Sequence, residues 1–137
     1  MATRDLAHDL TQAISIAPIA LAAVATTNGT GVDTSNYEGV LLSVANGVQG
    51  GTAPVLTLTL QESNDNSVWN NVPDAQVIAA SGLNSTGFVL AASTLTELGY
   101  IGAKRYVRAS LALAGTSPTA VVSAIVVSGH ARNLPAA

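Results

Sequence analysis

Residues 105–128 read RYVRASLALAGTSPTAVVSAIVVS, two apolar runs separated by a short polar stretch. In residues 105–114, Val107, Ala109, Leu111 and Leu113 fall on one side of an extended chain, and Tyr106, Arg108, Ser110 and Ala112 on the other. That period of two is the mark of a half-buried β-strand. Residues 120–128 (AVVSAIVVS) are rich in β-branched residues, which suit a pleated, buried surface. Between them lies GTSPT, a polar stretch with Gly115 and Pro118 that predicts a turn, so the two runs are expected to form a β-hairpin.

The same logic extends toward the N-terminus. Residues 55–60 (VLTLTL) alternate strictly, with Leu56, Leu58 and Leu60 on one face. Residues 40–45 (VLLSVA) make a further apolar strand, joined to the previous one by the turn-rich connection NGVQGGTAP. SNDNS, at residues 63–67, predicts a tight turn into VWNNV, so residues 56–72 read as another hairpin. Short strands are expected at 76–80 and 88–92. Thr94 and Glu97 have capping-box spacing, which allows one helical turn before Gly99. Residues 14–25 (ISIAPIALAAVA) resemble a signal-peptide core, but acidic residues precede them and Pro18 interrupts them. They read as one or two buried strands without a membrane role. The total is seven to nine strands with turn signals at close intervals. The fold expected is all-β: an antiparallel β-sandwich, a jelly roll, forming a single domain over 1–137 with extended arms at 1–12 and 129–137.

Composition limits the function classes. Only 9% of the 137 residues are charged, against about 25% in an ordinary soluble domain. Forty-eight per cent are hydrophobic and 4% aromatic. Small apolar residues with sparse charge suit a surface covered by neighbouring subunits; a hydroxyl- and amide-rich solvated surface is the blander alternative. The net charge of −3 argues against a nucleic-acid binder, which needs a basic face. There is no cysteine, so disulfides and thiolate metal sites are excluded.

Chemistry-bearing constellations are sparse. His8 and His130 lie near the chain ends, so neither a multi-histidine metal site nor a Ser–His pair is expected. The acidic residues Asp33, Glu38, Glu62, Asp65, Asp74 and Glu97 fall near turns and strand ends, where solvating charge is the simplest reading. Asn64, Asp65 and Asn66 have the chemistry for calcium, but a hairpin turn accounts for them more simply. The protein is therefore expected not to be an enzyme and to need no cofactor or metal.

The candidate partner-binding residues are the cations and the lone tryptophan. Lys104, Arg105 and Arg108 form a basic cluster, and Arg132 adjoins it if the last two strands pair. Arg4 adds a cation on the N-terminal arm. Such a cluster suits an acidic patch on a partner, because a guanidinium holds a carboxylate with two hydrogen bonds; ordinary strand-end charge is the competing reading. Trp69 is read as a core or interface anchor, with a sugar-stacking platform as the alternative.

Three stretches carry a resemblance to a known family: TTNGTGVDTSNYE leading into VLLSVANG, LQESNDNSVWNNVP, and LGYIGAKRYVRASLALAGTSPTAVVSAIVVSGHARN. Their order and spacing together resemble the jelly-roll capsid cement, or decoration, proteins of tailed bacteriophages, of the kind found in Bordetella short-tailed phages. That resemblance implies a structural virion protein on the capsid exterior, assembled in the host cytoplasm. It implies a homodimer that contacts the major capsid protein, bridges neighbouring capsomers and stabilises the shell. It brings no catalytic residue. A tail or head-fibre component and a carbohydrate-binding β-sandwich are the alternatives.

Overall fold

The computed structural model describes residues 6–79 and 87–131. Among the described residues there are nine strands: β1 (Leu10–Leu21), β2 (Ala25–Asn28), β3 (Val32–Asp33), β4 (Tyr37–Ser63), β5 (Asn70–Asn71), β6 (Val77–Ala79), β7 (Phe88–Leu90), β8 (Thr94–Tyr100) and β9 (Tyr106–Ala131). Helix among the described residues is limited to a 3-10 turn at Asp74–Gln76. Every strand pairing is antiparallel.

The frame is a pair of long strands. β4 and β9 run antiparallel from Tyr37 opposite Ala131 to Ser63 opposite Tyr106, with register shifts between Asn46 and Val55. On one side of these shifts, β9 pairs with β1 and β4 with β8, and β6 lies outside β8. On the other side, β9 pairs with β2 and β3, and β4 with β7 and β5. The two long strands thus pass from one layer into a second. Layer A has the order β1, β9, β4, β8, β6; layer B has β2 and β3, then β9, β4, and β7 with β5. If each half of β4 and of β9 is numbered separately in chain order, with β2–β3 as one segment and β7 standing for its track, the layers read 1-8-3-6 and 2-7-4-5. That is jelly-roll connectivity, in which successive segments cross between layers except for segments 4 and 5, which pair within layer B.

Burial shows the two layers facing each other. In β4, Leu42 and Val44 of layer A and Leu56, Leu58 and Leu60 of layer B are all buried, as are Val107 to Leu113 at alternate positions and Val122, Ala124 and Val126 in β9. They belong to a single hydrophobic cluster. The side of the strand that carries these residues is the side toward which it folds, as expected for a sheet closed over its own apolar face.

Several sequence expectations change. The runs at 105–114 and 120–128 do not pair with each other. They are consecutive parts of β9, each paired to β4, and GTSPT is the corner between them, with Gly115 at φ 129° and Ser117 at φ 47°. NGVQGGTAP is likewise a corner inside β4, with Gly51 at φ 92° and Ala53 at φ 49°. The expected helical turn at Thr94–Glu97 is strand, because pairing with β4 places Leu98 and Tyr100 in the core and outweighs a local cap. Part of each expected arm is strand instead. Leu10–Gln12 and Gly129–Ala131 are strand, with Leu10 opposite Gly129 and Tyr37 opposite Ala131. The remaining arm residues 1–5 and 132–137 lie outside the described residues. In β1, Ser15 and Ile16 are buried while Ile14 and Ile19 are exposed, so this strand is only partly the buried element expected. The hairpin at 56–72 is present, closed by Gln61 opposite Asn71 and Glu62 opposite Asn70.

Candidate interaction surface

The predicted basic cluster is divided among three separate environments. Arg108 points outward from layer B, because its neighbours Val107 and Ala109 are buried. It lies opposite Gln61, and its Nε donates to Gln61 Oε1 at 2.8 Å, while Gln61 Nε2 donates to Asn71 Oδ1 at 3.1 Å. The guanidinium stands 4.4 Å from the centroid of the Trp69 ring. Partial burial lowers the Arg108 pKa from its ordinary value. Gly31 backs the ring, since a Cβ there would come within 2.8 Å of Trp69 Cζ2 and Cη2. Trp69 is thus an anchor for the loop that precedes β5. The sugar-platform reading asks for an open tryptophan in line with a tyrosine. Here Arg108 covers the ring, and Tyr100 is buried. We predict a double-mutant coupling of about 0.5–1 kcal/mol between Trp69→Phe and Arg108→Ala in chemical denaturation. Additive losses would show that the stacking contributes nothing.

Arg105 is already paired. Its Nε lies 3.2 Å from both Asp33 carboxylate oxygens and its Nη2 2.8 Å from Oδ2. Thr34 fixes the backbone beside it, with N and Oγ1 both donating to the Arg105 carbonyl. The guanidinium holds the Asp33 carboxyl well below the usual carboxylate range, and Asp33 raises the Arg105 pKa in return. Both side chains are substantially exposed, so solvent screens the pair. The carboxylate that the sequence reading sought on a partner is therefore supplied by the chain itself.

Lys104 is exposed, and its backbone N–H donates to Tyr100 Oη at 3.0 Å. The phenol donates in turn to Glu62 Oε2 at 2.6 Å. Burial, and then the Glu62 bond, push the Tyr100 phenol above its ordinary pKa. Glu62 is buried too, and the sequence reading missed its role. Its position continues the inward phase of Leu56, Leu58 and Leu60, which is the signal that would have found it. Arg4 and Arg132 lie outside the described residues.

Beside Lys104 and Arg105 a cleft of about 470 Å³ opens at one end of the sandwich, lined also by Tyr37, Glu38, Tyr100 and Ile101. Among the described residues no three His, Cys, Asp or Glu side chains gather as a metal site. Asp65 does the work of a turn: its Oδ1 accepts from the Ser67 and Val68 backbone N–H groups, each at 2.9 Å, and these bonds lower its pKa.

The outer faces of the two layers differ in chemistry. Layer B presents Thr57, Thr59 and Gln61 from β4 beside Ala112 and Arg108 from β9, with Ser110 between them buried against Asn28. Layer A presents rows in which aliphatic side chains are interspersed with small and polar ones and almost no charge. One row runs Gln12, Val127, Leu41, Gly99, Ile78 across five strands. The next runs Ile14, Ile125, Ser43, Glu97. A third runs Ser123, Ala45, Leu95. Ile14, Ile78 and Leu95 are 57%, 61% and 63% exposed. Glu97 is the sole ionisable side chain in these rows. The sequence reading foresaw a surface poor in charge but located contact at the cations. The apolar face was hidden because its residues alternate with an equally apolar interior.

No family model and no curated protein matches the chain. Two solved structures are similar. The PBSX exported protein XepA is 18% identical with a TM-score of 0.57, over 93% of this chain and 39% of XepA. A chain of the infectious bursal disease virus Gx strain structure is 14% identical with a TM-score of 0.47, over 92% of this chain and 33% of the other. This chain therefore spans well under half the length of either. The likeness to XepA shows a shared fold.

Proposed function

We propose that this protein is a non-catalytic structural component of a phage particle, a cement or decoration protein that binds the outside of a tailed-phage head and bridges neighbouring capsomers. The observation that carries this reading is the outer face of layer A. It is a broad, nearly uncharged surface that exposes Ile14, Ile78 and Leu95 on a sandwich whose core is built from other residues, which is the profile of a surface built to be covered. Jelly-roll connectivity, the fold shared with XepA, and the resemblance of three sequence stretches to phage cement proteins support the same reading. The major capsid protein is the partner proposed, with a homodimer as the docking unit. Many copies of a modest contact on one shell add through multivalency. A rigid sandwich also loses little conformational freedom on docking.

The test is location. Gradient-purified particles from a lysed host that carries this chain should contain it at a fixed ratio to the major capsid protein, and gold-labelled antibody should decorate the heads. Recovery of the chain only in the soluble fraction would defeat the proposal, and label confined to tails or fibres would replace the cement role with another structural one.

A further inference from the structure

We infer that the free edge of β1, over Leu10–Ile14, accepts an extended segment of the shell protein as an added strand; this rests on the particle role proposed above and names how the contact is made. A sheet edge specifies its partner through the backbone, because a row of unpaired N–H and C=O groups is satisfied by another extended chain. The edges of this sandwich are unequal. In layer B they are β2, with four residues, β3 and β5, with two each, and β7, with three; in layer A the far edge is β6, with three. Short edge strands protect a sheet against pairing. β1 has twelve residues, LTQAISIAPIAL, and lies at the end of its sheet with β9 as its strand partner among the described residues. None of the twelve is charged, so the lysine that commonly guards an edge is missing.

The available ladder has definite limits. Leu10 to Ile14 pair with β9 in unbroken register, and register shifts begin between Ile14 and Ile16. Beyond them Pro18 has no N–H to offer. At the near end, the Leu10 N–H donates to the Leu6 carbonyl at 3.0 Å and so faces away from β9. Successive residues of an antiparallel strand turn their N–H and C=O groups to alternate sides. Thr11 and Ala13 therefore bond β9, and the N–H and C=O groups of Gln12 and Ile14 lie on the free edge. At the far end Ser15 ties the strand to layer B. Its Oγ donates to the Thr30 carbonyl and accepts from the Ala109 N–H, and its carbonyl accepts from the Thr30 N–H. The edge is thus held extended between two fixed points, so an added strand orders little of this chain. Gln12 and Ile14 offer about four backbone bonds, too few to hold a partner alone but suited to a contact repeated over a shell. The donor is an uncharged segment, since a charge laid along Gln12, Ala13 and Ile14 finds no opposite charge on β1.

Amide exchange and particle occupancy test the inference. In the free chain, NMR should show exchange at Gln12 and Ile14 at least about tenfold faster than at Thr11 and Ala13, as the edge assignment requires. On gradient-purified particles, exchange mass spectrometry should show peptides covering residues 10–14 losing that fast phase. Protection of Gln12 and Ile14 already in the free chain, or no gain in protection on particles, overturns the inference. Gln12→Pro removes an edge N–H without touching a β9 bond, and an edge strand tolerates proline. Its occupancy relative to the major capsid protein should fall at least about threefold with strand content unchanged by circular dichroism, whereas Gln12→Ala, which keeps the N–H, should match wild type. Equal loss in both variants assigns the contact to the Gln12 side chain on the outer face and overturns strand addition. Full occupancy of a folded Gln12→Pro chain overturns it as well and leaves the particle role standing. A wild-type chain absent from all particles rejects the particle role and the shell as donor together. Should Gln12→Pro fail to fold, the exchange measurement on wild-type particles decides alone.

Discussion

Replacing Gly51 with valine is expected to destabilise the fold by about 3 kcal/mol or more, and to lower the melting temperature on the order of 10 °C. Gly51 sits in the corner of β4 at φ 92°, a conformation that side chains rarely adopt. A Cβ there would stand 2.3 Å from the Ser117 carbonyl oxygen and 2.9 Å from Pro118 Cα. Those atoms are backbone of the β9 corner, so no rotamer change relieves the contact. Gly115 faces the same constraint from the other strand: at φ 129°, its added Cβ would lie 2.8 Å from the Ala53 carbonyl oxygen. The two corners therefore nest against each other, and their close approach lets both central strands turn from layer A to layer B together. Gly47 is the control. Its added Cβ would meet nothing nearer than 3.4 Å, so Gly47→Ala should cost about 1 kcal/mol or less. Thermal or urea unfolding that ranks the two substitutions equally would show that the corner is not a point of close packing.

These corners also explain what the sequence did and did not disclose. Alternation at 55–60 and 105–114 told which side chains point inward, and Leu56, Leu58, Leu60, Val107, Ala109, Leu111 and Leu113 are buried as that pattern requires. Alternation is silent on which strand lies alongside. A glycine-rich break between two apolar runs fits a hairpin turn and a sheet corner equally well. GTSPT and NGVQGGTAP are corners because each flanking run finds its partner on the other long strand, a non-local pairing with no local signature. The site followed the same rule. Arg105 and Arg108 were visible as cations, but Asp33 is 72 positions from Arg105, and only the pairing of β3 with β9 brings them together. The apolar outer face needed the full strand order, since each row takes residues from three to five distant segments of chain.

Removing one oxygen from Tyr100 should cost about 2–3 kcal/mol, because Tyr100→Phe takes the donor from a buried carboxylate. Tyr100 is 4% exposed and Glu62 7%. The phenol joins the layers, since Tyr100 belongs to β8 of layer A and Glu62 to the layer B half of β4. It also accepts from Lys104 N–H, which fixes the loop between β8 and β9, while Ile101 N–H bonds the Gln76 carbonyl at its start. Phenylalanine fills the same space without serving either neighbour. Glu62→Gln keeps an acceptor and removes the charge, so it should cost less. The pH dependence has a definite sign. Burial first, and the bond to Glu62 second, raise the Tyr100 pKa in the folded chain. In the unfolded chain the phenol ionises near pH 10. The contribution of the neutral phenol is therefore complete below about pH 10 and declines as pH rises from there toward the higher folded value. Urea unfolding at about pH 8, 10 and 11 should show wild type losing stability faster than Tyr100→Phe across the alkaline range, so that the gap between them narrows. Parallel curves would mean that the phenol titrates as freely in the fold as outside it, and that the two layers are not joined through a buried, protonated tyrosine.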